Sequence, residues 1–373
     1  MKQLPVRVHT ILFTEECPLD CRYCHLKSFD TYKKAKPMTK EEIFAAIDKI
    51  DKENPVEEVS SRLLLTGGEP FLYWDIIVEI LKKYDKRFTY EFNTSGYLLT
   101  PDRIRFLSNY PVHFVLSVDG DERLTNYLRP LHNGNIGYFK EFKKNIKTLL
   151  YYFPNTAFKC IVNPRYVDLL YSTYQTAEKI GFLYFNPILD FNSRGKWTEE
   201  KKKELYSQYK KIITSFILGF KENVVRPQIK NINFAISTIV NLNLKNPKGK
   251  DLRCQVFNGR TNQTLNNKSC GYCMSAYFPD IKQAEKEFDM SDLGFCKNDE
   301  KCDAYNFCSV VSCPKNSLDL CGKFRYIDEL ECLLNKVEYE MAKIILDIGI
   351  DFLEENSLFQ KYLKKVGENE ING

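Results

Sequence analysis

The most informative stretch of this sequence reads Cys17-Pro18-Leu19-Asp20-Cys21-Arg22-Tyr23-Cys24, and it directly follows an apolar run, Val8–Phe13. The run has the length and composition of a buried strand, so the cysteines lie in the loop where that strand ends. Thiolates spaced in this way can bind one iron–sulfur cubane from a single loop. Three thiolates for four irons leave one iron open for a bound molecule, as in a catalytic metal site that keeps a vacant position.

A zinc ion is the alternative occupant of this loop. A zinc site needs four ligands, and His25 is close by in the sequence. Because His25 directly follows Cys24, its geometry is poor for binding the same ion as that cysteine. The cluster interpretation is therefore favoured.

Composition excludes several classes of protein. The chain has 373 residues, 43% of them hydrophobic and 28% charged, with a net charge of +5. That charge is small for the length and comes without a basic stripe, so it gives no reason to expect a nucleic-acid partner. No apolar stretch approaches the roughly 18–20 residues of a membrane span. The N-terminus also lacks the apolar region of a signal peptide. We therefore expect a cytoplasmic protein without a membrane partner, and its 13 cysteines then indicate metal ligation rather than disulfides.

Strand and helix patterns alternate over the first 220 residues, which indicates a parallel sheet with right-handed crossovers. Thr39 and Glu42 form a capping box at the start of the first helix, and Thr100 is followed by Pro101 at the start of another. Six such units predict an α/β fold, a partial (β/α)6 barrel of the TIM type. The predicted strands are Val8–Phe13, Arg62–Thr66, Phe88–Phe92, His113–Val118, Ala157–Val162 and Phe182–Ile188, and the other predicted helices are Tyr73–Tyr84, Tyr138–Tyr152, Val167–Ile180 and Thr198–Phe220.

The rest of the chain divides into three parts after a barrel over 1–225. A connecting segment covers 226–250, and a cysteine-rich domain covers 251–325. That domain has few apolar runs, so metal cross-links would have to hold it together. The last part, 326–373, contains a C-terminal amphipathic helix and a tail.

Three further motifs follow predicted strands. Thr66-Gly67-Gly68-Glu69-Pro70 ends the second, Asn93-Thr94-Ser95-Gly96 the third and Ser117-Val118-Asp119-Gly120 the fourth. The carboxyl ends of parallel barrel strands share one mouth, so these motifs and the cysteine loop are predicted to meet there. Independent turns have no reason to fall in that register.

The cysteine spacing, with an aromatic residue before Cys24, resembles the signature of radical S-adenosylmethionine (SAM) enzymes. The resemblance implies that Cys17, Cys21 and Cys24 bind a [4Fe–4S] cluster that contacts SAM. It further implies that Gly67, Gly68 and Glu69 receive the amino group of SAM, with glycine allowing the backbone to approach the ligand. Asn93, Ser117 and Asp119 correspond to residues around the ribose and carboxylate of SAM, and Tyr23 corresponds to one near the adenine.

A second set of cysteines resembles the SPASM extension, which carries two auxiliary [4Fe–4S] clusters in peptide-modifying members of the family. By this resemblance Cys254, Cys270, Cys273 and Cys313 hold the first auxiliary cluster, and Cys296, Cys302, Cys308 and Cys321 hold the second. The chain departs from the family pattern at Asp299, where a cysteine is expected, and at Leu265, where a glycine is usual. Structural zinc is the alternative for this region. Cys160 and Cys332 are predicted to be buried apolar residues.

The barrel mouth also offers three candidates for contact with the substrate. Arg129 can bind a carboxylate of the cofactor or of a peptide through a bidentate fork, or it is an exposed surface arginine. Asp190 and Arg194 follow the sixth strand and either serve the substrate or cap the next helix.

The resemblance implies a radical SAM peptide maturase, which abstracts hydrogen with a 5′-deoxyadenosyl radical and installs a thioether or carbon–carbon crosslink in a ribosomal precursor peptide. An anaerobic sulfatase-maturase-like enzyme, which forms formylglycine, is one alternative; Gly271 after Cys270 disfavours it, because that family has an aspartate there. The other is a non-catalytic iron–sulfur electron carrier, which has no need of the Gly67–Pro70 motif. The expected partners are the peptide and a reductant such as flavodoxin or ferredoxin. Because few residues precede the first strand, any recognition of a leader peptide is expected to use a separate leader-recognition protein or a surface of this chain.

Overall fold

A computed structural model describes residues 6–12, 14–24, 38–57, 60–132, 137–245, 263–264, 302–304, 329–352 and 356–369. These residues build one parallel sheet with strands in the order β7-β6-β5-β4-β3-β2-β1-β8. No ladder joins β7 to β8 within the described ranges, so the barrel is open, and the predicted partial barrel is confirmed. The strands are β1 Val6–Leu12, β2 Ser60–Thr66, β3 Thr89–Thr94, β4 Val112–Ser117, β5 Ala157–Val162, β6 Tyr184–Leu189, β7 Gln228–Ile229 and β8 Gln263–Thr264.

Helices connect consecutive strands and cover the sheet. They are α1 Lys40–Glu53, α2 Trp74–Tyr84, α3 Pro101–Leu107, α4 Glu122–Leu128, α5 Tyr138–Tyr152, α6 Leu170–Ile180, α7 Glu199–Glu222, α8 Lys230–Lys245, α9 Glu329–Phe352 and α10 Ser357–Asn369. Among the described helices, none is long and apolar enough to cross a membrane.

Local sequence signals fix several of these boundaries. The Thr39 hydroxyl accepts a hydrogen bond from the Glu42 amide while the Glu42 carboxylate accepts one from the Thr39 amide, so the predicted capping box is confirmed. Thr100 caps α3, with Pro101 in its first turn. The bounds of β5 and α5 coincide with the prediction, and Cys160 in β5 is buried as predicted.

Several short or polar elements were not predicted, among them α4, β7, β8, α8 and α10. Helix α8 carries asparagines that are poor helix formers, and it packs against α9 and α10, so tertiary contacts stabilise it. The C-terminal helix α9 is confirmed with Leu330, Val337, Met341 and Ile345 buried, whereas Cys332 is only half-buried.

Most of the predicted auxiliary domain lies outside the described residues. Within 251–325 the structure describes only β8 and residues 302–304, where Cys302 is half-buried. The other predicted ligands, Cys254, Cys270, Cys273, Cys296, Cys308, Cys313 and Cys321, fall outside the described ranges, as does His25.

Candidate active site

The cysteine loop is held in place by the segment that follows α4. Leu19 and Leu131 form an antiparallel bridge. On either side of it, the amides of Asp20 and Arg22 donate to the carbonyls of Pro130 at 2.7 Å and of Leu128 at 2.9 Å. The chain after β1 is therefore paired with the chain after β4, which brings two carboxyl-terminal strand ends together.

The glycine pair after β2 packs directly against the start of this loop. The Gly68 amide donates to the Thr14 carbonyl at 2.7 Å, and the Glu69 amide donates to the Glu16 carbonyl at 2.9 Å. A Cβ atom on Gly67 would lie 2.3 Å from the Thr14 oxygen, and one on Gly68 would lie 2.1 Å from the Glu16 oxygen. A side chain at either position would collide with the backbone at the start of the cysteine loop. This close backbone contact explains why glycine is needed here, and the sequence alone did not suggest it.

Cys17, Cys21 and Cys24 are all half-buried in the loop. Burial is the main cause that raises the pKa of the Cys17 thiol to about 12. The nearby Glu69, Cys21 and Cys24 contribute to the rise, and the Leu19 amide opposes it. The thiol is therefore protonated at neutral pH, and metal binding has to displace its proton. No group of three His, Cys, Asp or Glu side chains in the described ranges is arranged to hold a single metal ion. A cubane cluster accepts thiolates that are farther apart, because each thiolate binds a different iron.

Glu69 is fully buried, and its carboxylate accepts four hydrogen bonds. Oε1 accepts from the Thr94 hydroxyl at 2.6 Å and from the Phe71 amide at 3.3 Å. Oε2 accepts from the Ser95 hydroxyl at 2.5 Å and from the Ser95 amide at 2.9 Å. Burial raises the pKa of this carboxyl, and the four donors oppose that rise. The carboxylate therefore joins the turn after β2 to the end of β3. Its contact with the amino group of SAM stays a prediction.

A buried hydrogen-bond network joins Asp119 and Arg129 to Tyr23 of the cysteine loop. The guanidinium of Arg129 donates to both Asp119 oxygens, at 2.8 and 3.2 Å, and Tyr23 donates its hydroxyl to Asp119 at 2.5 Å. The Ile161 amide also donates to Asp119, at 3.0 Å. Arg129 Nη1 lies 3.9 Å from Cys21 Sγ. Because the Arg129 side chain is only 7% exposed, the alternative of an exposed surface arginine is wrong.

Asn93 and Ser117 differ from Asp119 in having side chains open to a ligand. Both residues are half-buried at the carboxyl ends of β3 and β4, and neither side chain has a hydrogen-bond partner within the described ranges.

Tyr138 was not predicted as part of the site. Its buried hydroxyl lies 2.5 Å from the Ser95 carbonyl and 2.9 Å from the Ser117 carbonyl, and it can donate to either. This tyrosine holds the two strand ends together.

Asp190 lies beside a cavity of about 600 Å³ at the barrel mouth, which Tyr23 and Cys24 also line. Asp190 accepts hydrogen bonds from Asn163 and from the Ser193 hydroxyl, both at 2.7 Å. Arg194 belongs to the turn after β6, and its side chain lies outside the described part. The predicted meeting of the strand ends is thus supported by contacts among the loops after β1, β2, β3, β4 and β5.

The family comparison agrees with this arrangement. Residues 11–168 match the sequence profile of the radical SAM superfamily. This part of the chain is therefore similar to radical SAM enzymes. The matched region contains the cysteine loop, the glycine pair and the Asp119–Arg129 pair, and the similarity implies a [4Fe–4S] cluster and SAM.

A curated relative and two solved structures resemble this chain. The radical SAM cyclopropyl synthase TigE of Paramaledivibacter caminithermalis is 25% identical over 136 residues, which are 33% of this chain and 29% of TigE. The chain thus aligns with less than a third of that relative. Native anSMEcpe with bound AdoMet is 16% identical with a TM-score of 0.68, over 91% of this chain and 97% of that one. Native anSMEcpe with bound AdoMet and Cp18Cys peptide gives the same TM-score and identity over 94% and 100% of the two chains. At this identity the two structures establish the fold alone.

The residues at the mouth fit the implied cofactors. The cysteine loop offers three thiols and no fourth cysteine, which suits a cluster with an open iron. The free side chains of Asn93 and Ser117 offer hydrogen-bonding groups to a polar ligand. Asp119 and Arg129 instead hydrogen-bond to each other, and contacts of these two residues with a ligand stay predictions.

Proposed function

We propose that this chain is a radical SAM enzyme that modifies a peptide. With cluster and SAM bound, the chemistry supplied is a 5′-deoxyadenosyl radical that removes a hydrogen atom from the substrate. The observation that carries the proposal is the cysteine loop itself, which is fixed by backbone contacts to the chain after β2 and β4 and opens onto a cavity at the barrel mouth.

The protein residues have separate tasks in this proposal. Cys17, Cys21 and Cys24 bind the cluster, while Asn93 and Ser117 bind the ribose or carboxylate of SAM. The Asp119–Arg129 pair fixes the loop from below. Because this pair is buried and fully formed, ligand binding requires no rearrangement of these two charges.

A peptide substrate and a crosslinking outcome are the finer part of the proposal. One of the similar solved structures, that of anSMEcpe, contains a bound Cp18Cys peptide, and the relative TigE is a cyclopropyl synthase, an activity in which carbon–carbon bonds form. The first supports a peptide substrate and the second supports formation of a carbon–carbon bond, and the crosslink, a thioether or a carbon–carbon bond, is the finer part proposed here. The auxiliary clusters, the precursor peptide, the external reductant and the leader-recognition protein belong to the same proposal.

The first test is reductive cleavage of SAM. We expect anaerobically reconstituted, dithionite-reduced protein to release 5′-deoxyadenosine, measured by liquid chromatography with mass spectrometry. Cys21→Ala should abolish release because the cluster loses a ligand, while Cys332→Ala, on α9, should retain it. Release by Cys21→Ala at the parent rate, or a preparation with zinc and no acid-labile sulfide, would refute the radical SAM activity.

The second test identifies the substrate class. Short open reading frames beside the gene should be co-expressed with the protein under anaerobic conditions. A crosslinked product is lighter than its precursor by a pair of hydrogen atoms per crosslink, and tandem mass spectrometry locates the bond. Formylglycine in a peptide product would support the sulfatase-maturase-like alternative instead.

A further inference from the structure

The cavity at the barrel mouth carries more positive charge than the proposed cofactors require. Its lining includes Arg22, Arg165, Lys196 and Lys201. These four side chains come from the cysteine loop, from the segment after β5, from the segment after β6 and from the first turn of α7. Three separated parts of the chain, around residues 22, 165 and 196–201, therefore place like charges around one cavity, and such a cavity has a positive potential.

Among the described residues, little negative charge compensates these cations. Asp190 is the carboxylate in the lining, and it already accepts hydrogen bonds from Asn163 and Ser193. Arg165, Lys196 and Lys201 form no ion pair with any described residue. Arg165 and Lys196 are exposed, and Lys201 is half-buried. Like charges held together without counter-charges favour an anionic ligand.

Two tyrosines orient the arginines at the edge of the cavity. Tyr127 and Tyr166 pack edge to face, with ring centroids 5.8 Å apart. The Arg22 guanidinium lies 4.3 Å above the Tyr127 ring, and the Arg165 guanidinium lies 5.6 Å above the Tyr166 ring. The Arg22 Nε donates to the Tyr127 carbonyl at 2.7 Å. Stacking on an aromatic ring limits the freedom of a guanidinium and leaves its terminal N–H groups available for a carboxylate.

We propose that this cavity binds the carboxylates of an acidic peptide segment. Aspartate or glutamate side chains near the residue to be modified would contact the two guanidiniums and the two ammonium groups, while Cys24 faces the same cavity. The identity of the ligand as a peptide rests on the function proposed above, whereas the preference for carboxylates rests on the charges alone.

A nucleic acid is the less suitable anion. The positive charges are gathered in a cavity of about 600 Å³, within the size range of small-ligand pockets. The chain as a whole carries a net charge of only +5. A nucleic-acid surface usually extends as a basic stripe along the backbone path of its ligand.

The probe is a fluorescein-labelled hexaglutamate amide, with labelled hexaglutamine as the neutral control. Binding to the reconstituted full-length protein is measured by fluorescence anisotropy at low and high salt. We expect hexaglutamate to bind roughly tenfold or more tightly than hexaglutamine at low salt, and the difference to shrink at high salt. Equal affinity for the two peptides would overturn the proposal.

Two double variants locate the site. Arg165→Gln combined with Lys196→Gln should weaken hexaglutamate binding by roughly tenfold, because two exposed charge contacts are lost. Lys210→Gln combined with Lys211→Gln removes the same charge from exposed positions on α7, which line a different groove, and should leave binding unchanged. An equal loss in both variants, or a loss only in the second, would overturn the proposal.

Two competitors test the other anions. If an oligothymidylate displaces hexaglutamate and binds more tightly through the same residues, the cavity is a nucleic-acid site. If SAM alone displaces the peptide completely, the cations serve the SAM carboxylate. Cleavage of SAM without peptide is measured on the same samples. If the protein cleaves SAM but does not prefer hexaglutamate, only the acidic-peptide site is refuted. If it prefers hexaglutamate but does not cleave SAM, only the radical SAM function is refuted.

Discussion

The Glu69 carboxylate has a structural role that can be measured without any cofactor. Glu69→Ala removes the acceptor of four buried donors, from Phe71, Thr94 and Ser95. Buried donors left without a partner are costly, so we expect the ligand-free protein to lose about 2–4 kcal/mol of unfolding free energy. Urea denaturation measures the loss. Ser95→Ala removes only the hydroxyl donor, and its cost should be about 1 kcal/mol.

The same variant tests the contact with SAM that the family resemblance implies. A carboxylate facing an ammonium group predicts that Glu69→Ala weakens SAM binding by roughly tenfold to a hundredfold, measured by isothermal titration calorimetry on the reconstituted protein. A fall in affinity with unchanged stability of the ligand-free protein would contradict the structural role. Lower stability with unchanged affinity would contradict the contact with SAM.

His9 on β1 predicts a pH dependence of stability. The side chain is fully buried, and both ring nitrogens lack a hydrogen-bond partner in the described part of the chain. Burial lowers the pKa of His9 to about 4, and the positive charges of Arg7 and Arg87 contribute. An unfolded histidine titrates near pH 6.5, so the unfolded state binds more protons as the pH falls from 6.5 to 4. Stability is therefore complete above about pH 6.5 and decreases below it.

The expected effect of His9 between pH 7 and pH 5 is a loss of about 2 kcal/mol, at about 1.4 kcal/mol per pH unit below the unfolded pKa. Urea unfolding of the ligand-free parent and of His9→Phe at the two pH values isolates it. The parent should lose about 2 kcal/mol more than the variant, since phenylalanine has no proton to bind. Parallel losses in the two proteins would show that His9 is not the titrating group.

At the scale of elements, the turn after β2 acts as a clamp on the cysteine loop. Gly68→Ala places a Cβ atom 2.1 Å from the Glu16 carbonyl oxygen, so one of the two backbone segments has to move. We expect a loss of about 1–3 kcal/mol in the ligand-free protein. Less iron should also be retained at the first cluster. Urea denaturation and iron analysis after reconstitution check the two effects.

Gly195→Ala is the matched control for the clamp. No heavy atom lies within 4 Å of the added Cβ at this position, and the residue is exposed. Its effect on stability should stay within about 0.5 kcal/mol. A Gly68→Ala protein with the stability and iron content of Gly195→Ala would show that the close backbone contact is unimportant.

The sequence predicts those helices and strands that have local signals. All six main strands and most of the helices between them were predicted because apolar runs, capping residues and proline positions are local signals. Helix α8 was missed because its stability comes from packing against α9 and α10. The partners of Glu69 and Asp119 were missed for a similar reason. Their donors come from other strands and loops, and only the folded chain brings them together.

At the scale of the molecule, the barrel mouth is tied together by a few buried polar contacts. The Asp119–Arg129 pair links the chain after β4 to Tyr23 of the cysteine loop and to the Ile161 amide of β5. Tyr138 links the ends of β3 and β4. Each contact joins different strand ends, so the site is preorganised by the barrel itself. The residues in these contacts are not predicted ligands of the auxiliary clusters, so the first cluster and SAM are expected to bind independently of those clusters.

This independence gives the final prediction, which concerns the proposed auxiliary clusters. Fully reconstituted protein should bind about twelve irons, four for each cluster. If the auxiliary clusters carry electrons to or from the substrate radical, Cys308→Ala should retain cleavage of SAM but lose formation of modified peptide. SAM cleavage should be retained because the residues predicted to bind the first cluster and SAM belong to the barrel. Liquid chromatography with mass spectrometry quantifies 5′-deoxyadenosine and peptide product in the same reaction.

The interpretation requires a variant that folds, because metal cross-links are also expected to hold residues 251–325 together. A Cys308→Ala preparation qualifies if it is soluble and releases 5′-deoxyadenosine at the parent rate, and Cys308→Ser provides a second substitution if alanine disrupts folding. A qualified variant that still formed product at the parent rate would rule out electron transfer through the cluster bound by Cys308. The auxiliary domain would then contribute by binding the peptide.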